Sequence, residues 1–429
     1  MPFELKYRVL SIALFLYLGT MAQYSKVHYL PPTYNQQSRI EFSTITVTTL
    51  EESPFDVFLT NASGNYTRNL EGLSKENPIT ITLPLGGNDG IFKGDEGKTN
   101  QVLNSEGFIL TADNYFFSSQ IHAVANQAAV IAPKGIAGLG TEFYSGHIYS
   151  ASGTNNSRAH FLSVIASEDH TTVTFNNPRV KWEGQENYQF SVALNRGESY
   201  VLAASFNYIS GLVGDDLFNA FNGTHITSDR PIAVNSGSFL ASSSSGGQDA
   251  GVDQIVPVNQ LNTEFILAQG QSTNRNLETA MIIASEDNTL VFLNGEITPS
   301  HTLQKGENIV IKGDQYINQT MHIKTSKPAL VYQNLASKNS SANVGMVFVP
   351  GLMEDASRSV LVSGANSIGS VSFYIIAKKD EELTINGIPV SSIPIENLGN
   401  PNWVTYRISP EEINLSYCHS GNTCANKGQ

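Results

Sequence analysis

Cysteine is almost absent from this chain. Only Cys418 and Cys424 occur, both within the last twelve residues. The body therefore has no disulfide to draw on and rests on its apolar core, which a long chain manages more easily than a short one because more of its surface is buried. A Cys418–Cys424 bridge would close one small terminal loop; two free thiols fit the spacing equally well. Charge is also sparse, at 15% of residues, and Lys and Arg nowhere cluster among aromatics. Such a cluster is the electrostatic footprint of nucleic-acid binding, so nucleic acid is not an expected partner. Beyond the first thirty residues no run of eighteen apolar residues exists, which excludes a membrane-spanning helix from the mature chain. Long 3.6-period stretches with caps are missing too, so helix is expected to be scarce.

Catalytic signatures are missing as well. No Gly-x-Ser-x-Gly elbow is present; Ser236, Ser238 and the run Ser242–Ser245 read as a Gly/Ser loop with no helix after it. His28, His122, His147, His160, His170, His225, His301, His322 and His419 are scattered without an HExxH pair, so no zinc site is indicated. The adjacent acids Glu168/Asp169 and Glu286/Asp287 occupy the same place in two repeats, as turn formers do and catalytic pairs rarely do. No cofactor is expected, and the protein reads as a non-enzyme.

What is present begins at the N-terminus. Lys6 and Arg8 precede the apolar run from Val9 to Leu18, and Gly19-Thr20-Met21-Ala22 supplies small residues before a cut after Ala22. Basic, apolar and small-residue regions in that order make a signal peptide over residues 1–22. Its removal takes away Glu4, Lys6 and Arg8. The mature chain then holds 23 basic and 37 acidic residues, a net charge of −14 against −13 for the whole.

Hydrophobic residues at 40% and thirty-five glycines suit short strands joined by turns around a real core. Internal similarity is the strongest signal. IASEDHTTVTF (165–175) returns as IASEDNTLVF (283–292) and, more weakly, as IAKKDEELTING (376–387). Leu194-Asn195-Arg196-Gly197-Glu198 returns as Leu303-Gln304-Lys305-Gly306-Glu307, and HITSDRPIAVNSGS (225–238) as HIKTSKPALVYQN (322–334), with a relative at 109–121. Each reads as a hairpin, with Pro231 and Pro328 at the first position of a strand. A proline and then a strand start, Ile40-Glu41-Phe42, Thr141-Glu142-Phe143 or Thr263-Glu264-Phe265, precede the repeats. The expectation is an all-β protein of about four diverged antiparallel units near 32–130, 133–245, 257–340 and 350–417, followed by a disordered tail, 418–429. Six or seven strands per unit fit tandem sandwich-like modules, with a β-propeller as the alternative. The fourth unit lacks a counterpart of the Ser-Asp-Arg-Pro strand, so an unpaired edge and lower stability are expected there.

DQIVP (253–257), ITSDRPIAV (226–234), LNRGESYVL (194–202) and SEDHTTV (167–173) resemble the N-terminal domain family named after the mucus IgGFc-binding protein, found also in many secreted bacterial proteins. The opening SKVHYLPP (25–32) is similar to the bacterial members, and the likeness spans about residues 25–417. It implies an extracellular, non-enzymatic binding or adhesion module, secreted or at the cell surface, and a longer parent protein. Immunoglobulin binding is the family's name rather than a property of these residues.

The expected ligand, on this reading, is an extracellular glycan or protein met by loops on a β scaffold. The loop 235–255 is the expected contact region, with Ser242, Ser245, Asp249, Asp253 and Gln254 as candidates. Asp249 and Asp253, four residues apart in a bend, are also low-ranking calcium candidates; so is the acidic loop Gly86–Gly97, though both read first as solvated polar loops. The other readings are a structural segment of a larger surface protein and a polysaccharide-acting enzyme. Seven Asn-x-Ser/Thr sequons, at Asn61, Asn65, Asn155, Asn222, Asn318, Asn339 and Asn414, are expected in exposed turns, where an N-glycosylating host would modify them. In a bacterium they are simply the turns of a β protein.

Overall fold

The computed structural model describes residues 23–35, 42–83, 91–93, 97–124, 127–148, 159–212, 219–241, 249–270, 272, 274, 277–336, 343–353, 373–385 and 387–408. The signal segment, the tail 418–429 and most of the acidic loop 86–97 lie outside them. Among the described residues no helix is long and apolar enough to cross a membrane. The chain is all-β, as its composition implied.

In the first part of the chain run β1 (Ser25–Leu30), β2 (Thr33–Asn35), β3 (Phe42–Thr48), β4 (Phe55–Thr60), β5 (Thr67–Leu73), β6 (Ile79–Thr82), β7 (Ile91–Lys93), β8 (Val102–Leu103), β9 (Phe108–Val124) and β10 (Gln127–Ile131). The second part holds β11 (Gly140–Tyr144), β12 (Ala159–Ala166), β13 (Thr171–Asn176), β14 (Gln189–Leu194), β15 (Ser199–Ser205), β16 (His225–Ala241) and β17 (Asp249–Ile255). The third holds β18 (Asn262–Ala268), β19 (Ala280–Ala284), β20 (Thr289–Leu293), β21 (His301–Leu303), β22 (Asn308–Ile311), β23 (Thr320–Ala336) and β24 (Asn343–Phe348). Last come β25 (Phe373–Lys378), β26 (Thr384–Ile385), β27 (Ile388–Pro389), β28 (Ile395–Glu396) and β29 (Trp403–Ile408).

Three sheets share one plan. Sheet one orders as β5-β4-β9-β3-β6, sheet two as β14-β13-β16-β12-β15, extended at its edge by β8 from the first part of the chain, and sheet three as β21-β20-β23-β19-β22; in each, the first and last strands of the unit also pair with the long central strand. Each central strand is 17 residues long. Its leading half lies between the first and third of the seven repeated strands, its trailing half between the second and the last.

The repeated motifs are corners rather than hairpins. β12 and β13 do not pair with each other; both run antiparallel to β16, β12 along its trailing half (Ala159↔Phe239 to Ala166↔Ile232) and β13 along its leading half (Val173↔Ser228 to Asn176↔His225). β14 pairs with β13 and β15 with β12, so the LNRGE link is a corner too. Pro231 and Pro328 lie inside their long strands, not at a strand start. Ile226, Ile232 and Val234, from both halves of β16, share one core with Val164, Phe175 and Leu202. The sheet thus folds over on itself, its neighbouring strands turning together, as in orthogonally packed sheets. This is the sandwich-like arrangement, one folded sheet per unit rather than a pair of four-stranded blades.

Turn chemistry makes the corner. His170 and Asn288 hold φ of 57° and 55°, and Gly197 and Gly306 hold 81° and 77°. Asp169 accepts the Arg196 N–H and Asp287 the Lys305 N–H, both at 3.0 Å; Ser167 and Ser285 donate to the carbonyls of Pro231 and Pro328. Sheet one builds the same contact with Thr49 and the Tyr115 carbonyl.

Pairing also moves the unit boundaries. Leu30 meets Phe108 as Tyr144 meets His225, so β1 is the equivalent of β11 and the first unit starts at Ser25, ahead of Pro32. The closing strands carry units two and three on to Ile255 and Phe348. Units one to three interlock: Phe161, Val201 and Val252 of sheet two pack with Ala129 and Ile131 of sheet one, while Met281, Ile283 and Tyr332 of sheet three pack into the core of sheet two. Residues 373–408 are smaller, a three-stranded sheet β25-β29-β28 beside the hairpin β26-β27.

Candidate binding surface

The residues singled out from sequence divide between core and surface. Ser242 and Ser245 lie outside the described residues. Residues 235–241 and 249–255 belong to strands β16 and β17, so only 242–248 remains between them. Asp249 and Asp253 therefore stand on a strand rather than in a bend, about 13 Å apart by the rise of an extended chain, too far to share one ion. Asp249 accepts the N–H groups of Ala128 and Ala250.

Asp253 and Gln254 join three units. Asp253 is 6% exposed and pairs with buried Lys134 at 3.1 Å, while accepting the N–H of Gln254 and, from sheet three, that of Phe348. Gln254 accepts the Lys134 N–H and donates to the Tyr29 carbonyl at 2.8 Å. These are the contacts of a structural pair. The matched histidines are structural in the same sense. His225 meets Glu142 and His322 meets Glu264, each at 2.8 Å, joining the first strand of a unit to its long strand. Each glutamate also holds the next unit: Lys305 reaches Glu142 at 3.1 Å, and Asn400 donates to Glu264 at 2.9 Å.

One end of sheet two stands apart. There β11's extension stops at Ile148, β12 begins at Ala159, β15 runs through Ser205 into the short helix α1 (Phe206–Ser210), and β16 and β17 are bounded by Ala241 and Asp249. The connections 149–158, 213–218 and 242–248, which join these elements in the chain, are outside the described residues. At this end His147, His160, Trp182 and Phe221 form a box of rings, with His147–His160 at 5.3 Å and Trp182–Phe221 at 4.6 Å. The His147 Nδ1–H donates to the Gly237 carbonyl at 2.8 Å, and Ser238 lies 2.7 Å from His160 Nδ1. Burial holds His147 neutral, its pKa lowered to about 4. Among the described residues the Ser238–His160 contact is the shortest serine–histidine approach, and both residues are buried, at 0% and 2% exposure. His147 and His160 looked like two among scattered histidines, and only the rarity of tryptophan, two in the chain, marked Trp182.

The model of the family described as IgGFc binding protein matches residues 127–428. The chain belongs to this family. The match takes in sheets two and three and the region after them, which makes the box and its three connections part of the family domain. The family is one of binding proteins. A search of curated proteins gives no match. Among solved structures, one concerned with host cell surface retention of a 1.5-MDa bacterial ice-binding adhesin is 11% identical, covering 71% of this chain and 90% of that one at a TM-score of 0.10. A GH78 family rhamnosidase of Bacillus SP. GL1 is 6% identical, covering 76% of this chain and 55% of that one at a TM-score of 0.11. At such scores neither likeness bears on fold or function.

Proposed function

We propose that the protein is an exported, non-enzymatic binding or adhesion module that takes a glycan or protein ligand on the connections 149–158, 213–218 and 242–248 of sheet two. Membership of a binding-protein family carries this reading. In sequence these connections are rich in Ser, Gly, Asn and Asp, and the described residues that flank them belong to the strand framework of sheet two, which suits variable loops on a fixed scaffold. Export is supported by the basic, apolar and small-residue order of residues 1–22.

The test is a glycan and protein array probed with the purified mature chain. Replacing 243–247 by a two-residue turn leaves β16 and β17 intact and is expected to abolish or shift the binding found. Binding that survives this change and a matching one in 150–157 would place the ligand elsewhere. Turnover of a common polysaccharide by the same material would overturn the non-enzymatic reading.

A further inference from the structure

The sequons do not all sit where a sequon can be used. Asn65 and Asn318 are exposed, as expected of turn residues. Asn61 and Asn222 are each only 3% exposed. Asn61 donates from Nδ2 to Asn65 Oδ1 at 2.8 Å and to the Ser105 carbonyl at 3.1 Å, and its Oδ1 accepts from the Tyr66 N–H at 3.3 Å. Asn222 accepts the His147 N–H and donates from Nδ2 to Asn219 Oδ1 at 2.8 Å. Its neighbours are the box residues His147 and Phe221, and Thr224, which completes the sequon, is fully buried.

N-glycosylation replaces one Nδ2 hydrogen by the anomeric carbon of an oligosaccharide, with the proton and the carrier's pyrophosphate leaving. In a eukaryotic secretory compartment the transfer acts on chains as they enter, before they fold. At Asn222 the product would carry a bulky polar group where the fold needs a close-packed amide. Close-packed interiors do not absorb even a few extra atoms without strain.

We infer that this fold is incompatible with N-glycans at Asn61 and Asn222, and that the chain is exported by a route that does not transfer glycans to Asn-x-Ser/Thr. The second half rests on the export reading; the incompatibility does not. Asn65 and Asn318 would tolerate a glycan.

The chain is made in three ways: without glycan transfer, through an N-glycosylating secretory route, and through that route with transfer chemically inhibited. Site occupancy is mapped by peptide mass spectrometry, and folding is followed by secreted yield and thermal melting. The wild type is expected to be occupied at Asn222 and retained, and to be secreted at least tenfold better under inhibition. The S63A/T224V variant, which removes only these two sequons, is expected to be secreted folded with glycans at Asn65 and Asn318. Folded, secreted wild type carrying a glycan at Asn222 or Asn61, or skipping both at full yield, overturns the inference. So does retention that persists under inhibition, an arm that needs no mutation to fold. Cleavage after Ala22, read by N-terminal sequencing, tests export separately.

Discussion

The third sheet and the region after it each carry a copy of one motif and do different things with it. IASEDNTLVF (283–292) places β19 and β20 on either half of a 17-residue strand, with every residue of β19 buried. IAKKDEELTING (376–387) gives β25, whose six residues are all only partly buried, and the separate hairpin of β26 and β27. Among described residues 373–408 there is no 17-residue strand. A corner needs a long strand to turn against. Where that strand is present, the Ser-Glu-Asp link bends a sheet around a core; in the last copy, Lys378-Lys379-Asp380 leads instead from β25, which pairs with β29, into the separate hairpin of β26 and β27.

The largest expected effect separates the first two sheets from the third. His28, His122 and His147 are buried, and burial lowers their pKa values to about 4, 3 and 4 from an ordinary 6.5. Their neutral form is the folded form. Above pH 6.5 nothing is lost; as pH falls from 6.5 toward 4 the unfolded chain takes up protons that the folded one refuses, and stability drops. Each group contributes about 3 kcal/mol of loss at pH 4, so the sum is a large share of a domain's stability. In sheet three burial instead raises the pKa of Glu278, so its protonation on acidification favours the folded state. Hydrogen exchange at pH 5 should therefore show sheets one and two loosening ahead of sheet three. Loosening led by sheet three would break the comparison.

Next in size is the Lys134–Asp253 pair. D253A leaves a buried ammonium unpaired and the Phe348 N–H without its acceptor, a loss of about 3–5 kcal/mol. Denaturant unfolding should register it, and the joint between sheets one, two and three should open. Exchange in 373–408 should not change, because those residues make none of these contacts. A loss under about 1 kcal/mol would mean that the pair is replaceable.

The third effect is the protection difference in the unaltered protein. Amides of β25 and β29 should open well before those of 160–240, by at least ~2 kcal/mol of opening free energy, since they belong to a three-stranded sheet whose strand β25 is only partly buried along its whole length. Equal protection would make the last unit complete as it stands.

Much of this was legible and some was not, for physical reasons. Alternation, glycine and repeated strings reveal strands and units because those signals are local. The partner of a strand is not local. Ser167–His170 carries the chemistry of a tight turn, and nothing in it says that the next strand will pair with β16 rather than with β12. Asp253 and Gln254 sat in a polar stretch and looked exposed; their burial depends on Lys134, 119 residues away. Asn61 and Asn222 looked like turn sequons for the same reason. His225 and His322 stand at the same position of two repeats, and such a position points to scaffold, as their contacts with Glu142 and Glu264 agree.

The smallest effect tests the opening comparison most directly. Asp169, Asp287 and Asp380 occupy the same position in the three copies of the motif. The first two each accept a backbone N–H from the facing corner strand, at 3.0 Å. Asp380 lies in an exposed turn, with Glu381 N–H bonding back to the Lys378 carbonyl to close it. Removing an exposed acceptor of one backbone bond costs about 1 kcal/mol, and removing an exposed turn carboxylate with no such bond falls within ~0.5 kcal/mol. D169A and D287A should therefore lower the unfolding midpoint by similar amounts, while D380A leaves it nearly unchanged. The three differ in sequence only by their surroundings, so intrinsic turn preference cancels between them. If D380A matched the other two, the last copy would be making a corner after all, and the long strand it turns against would have to lie outside residues 373–408.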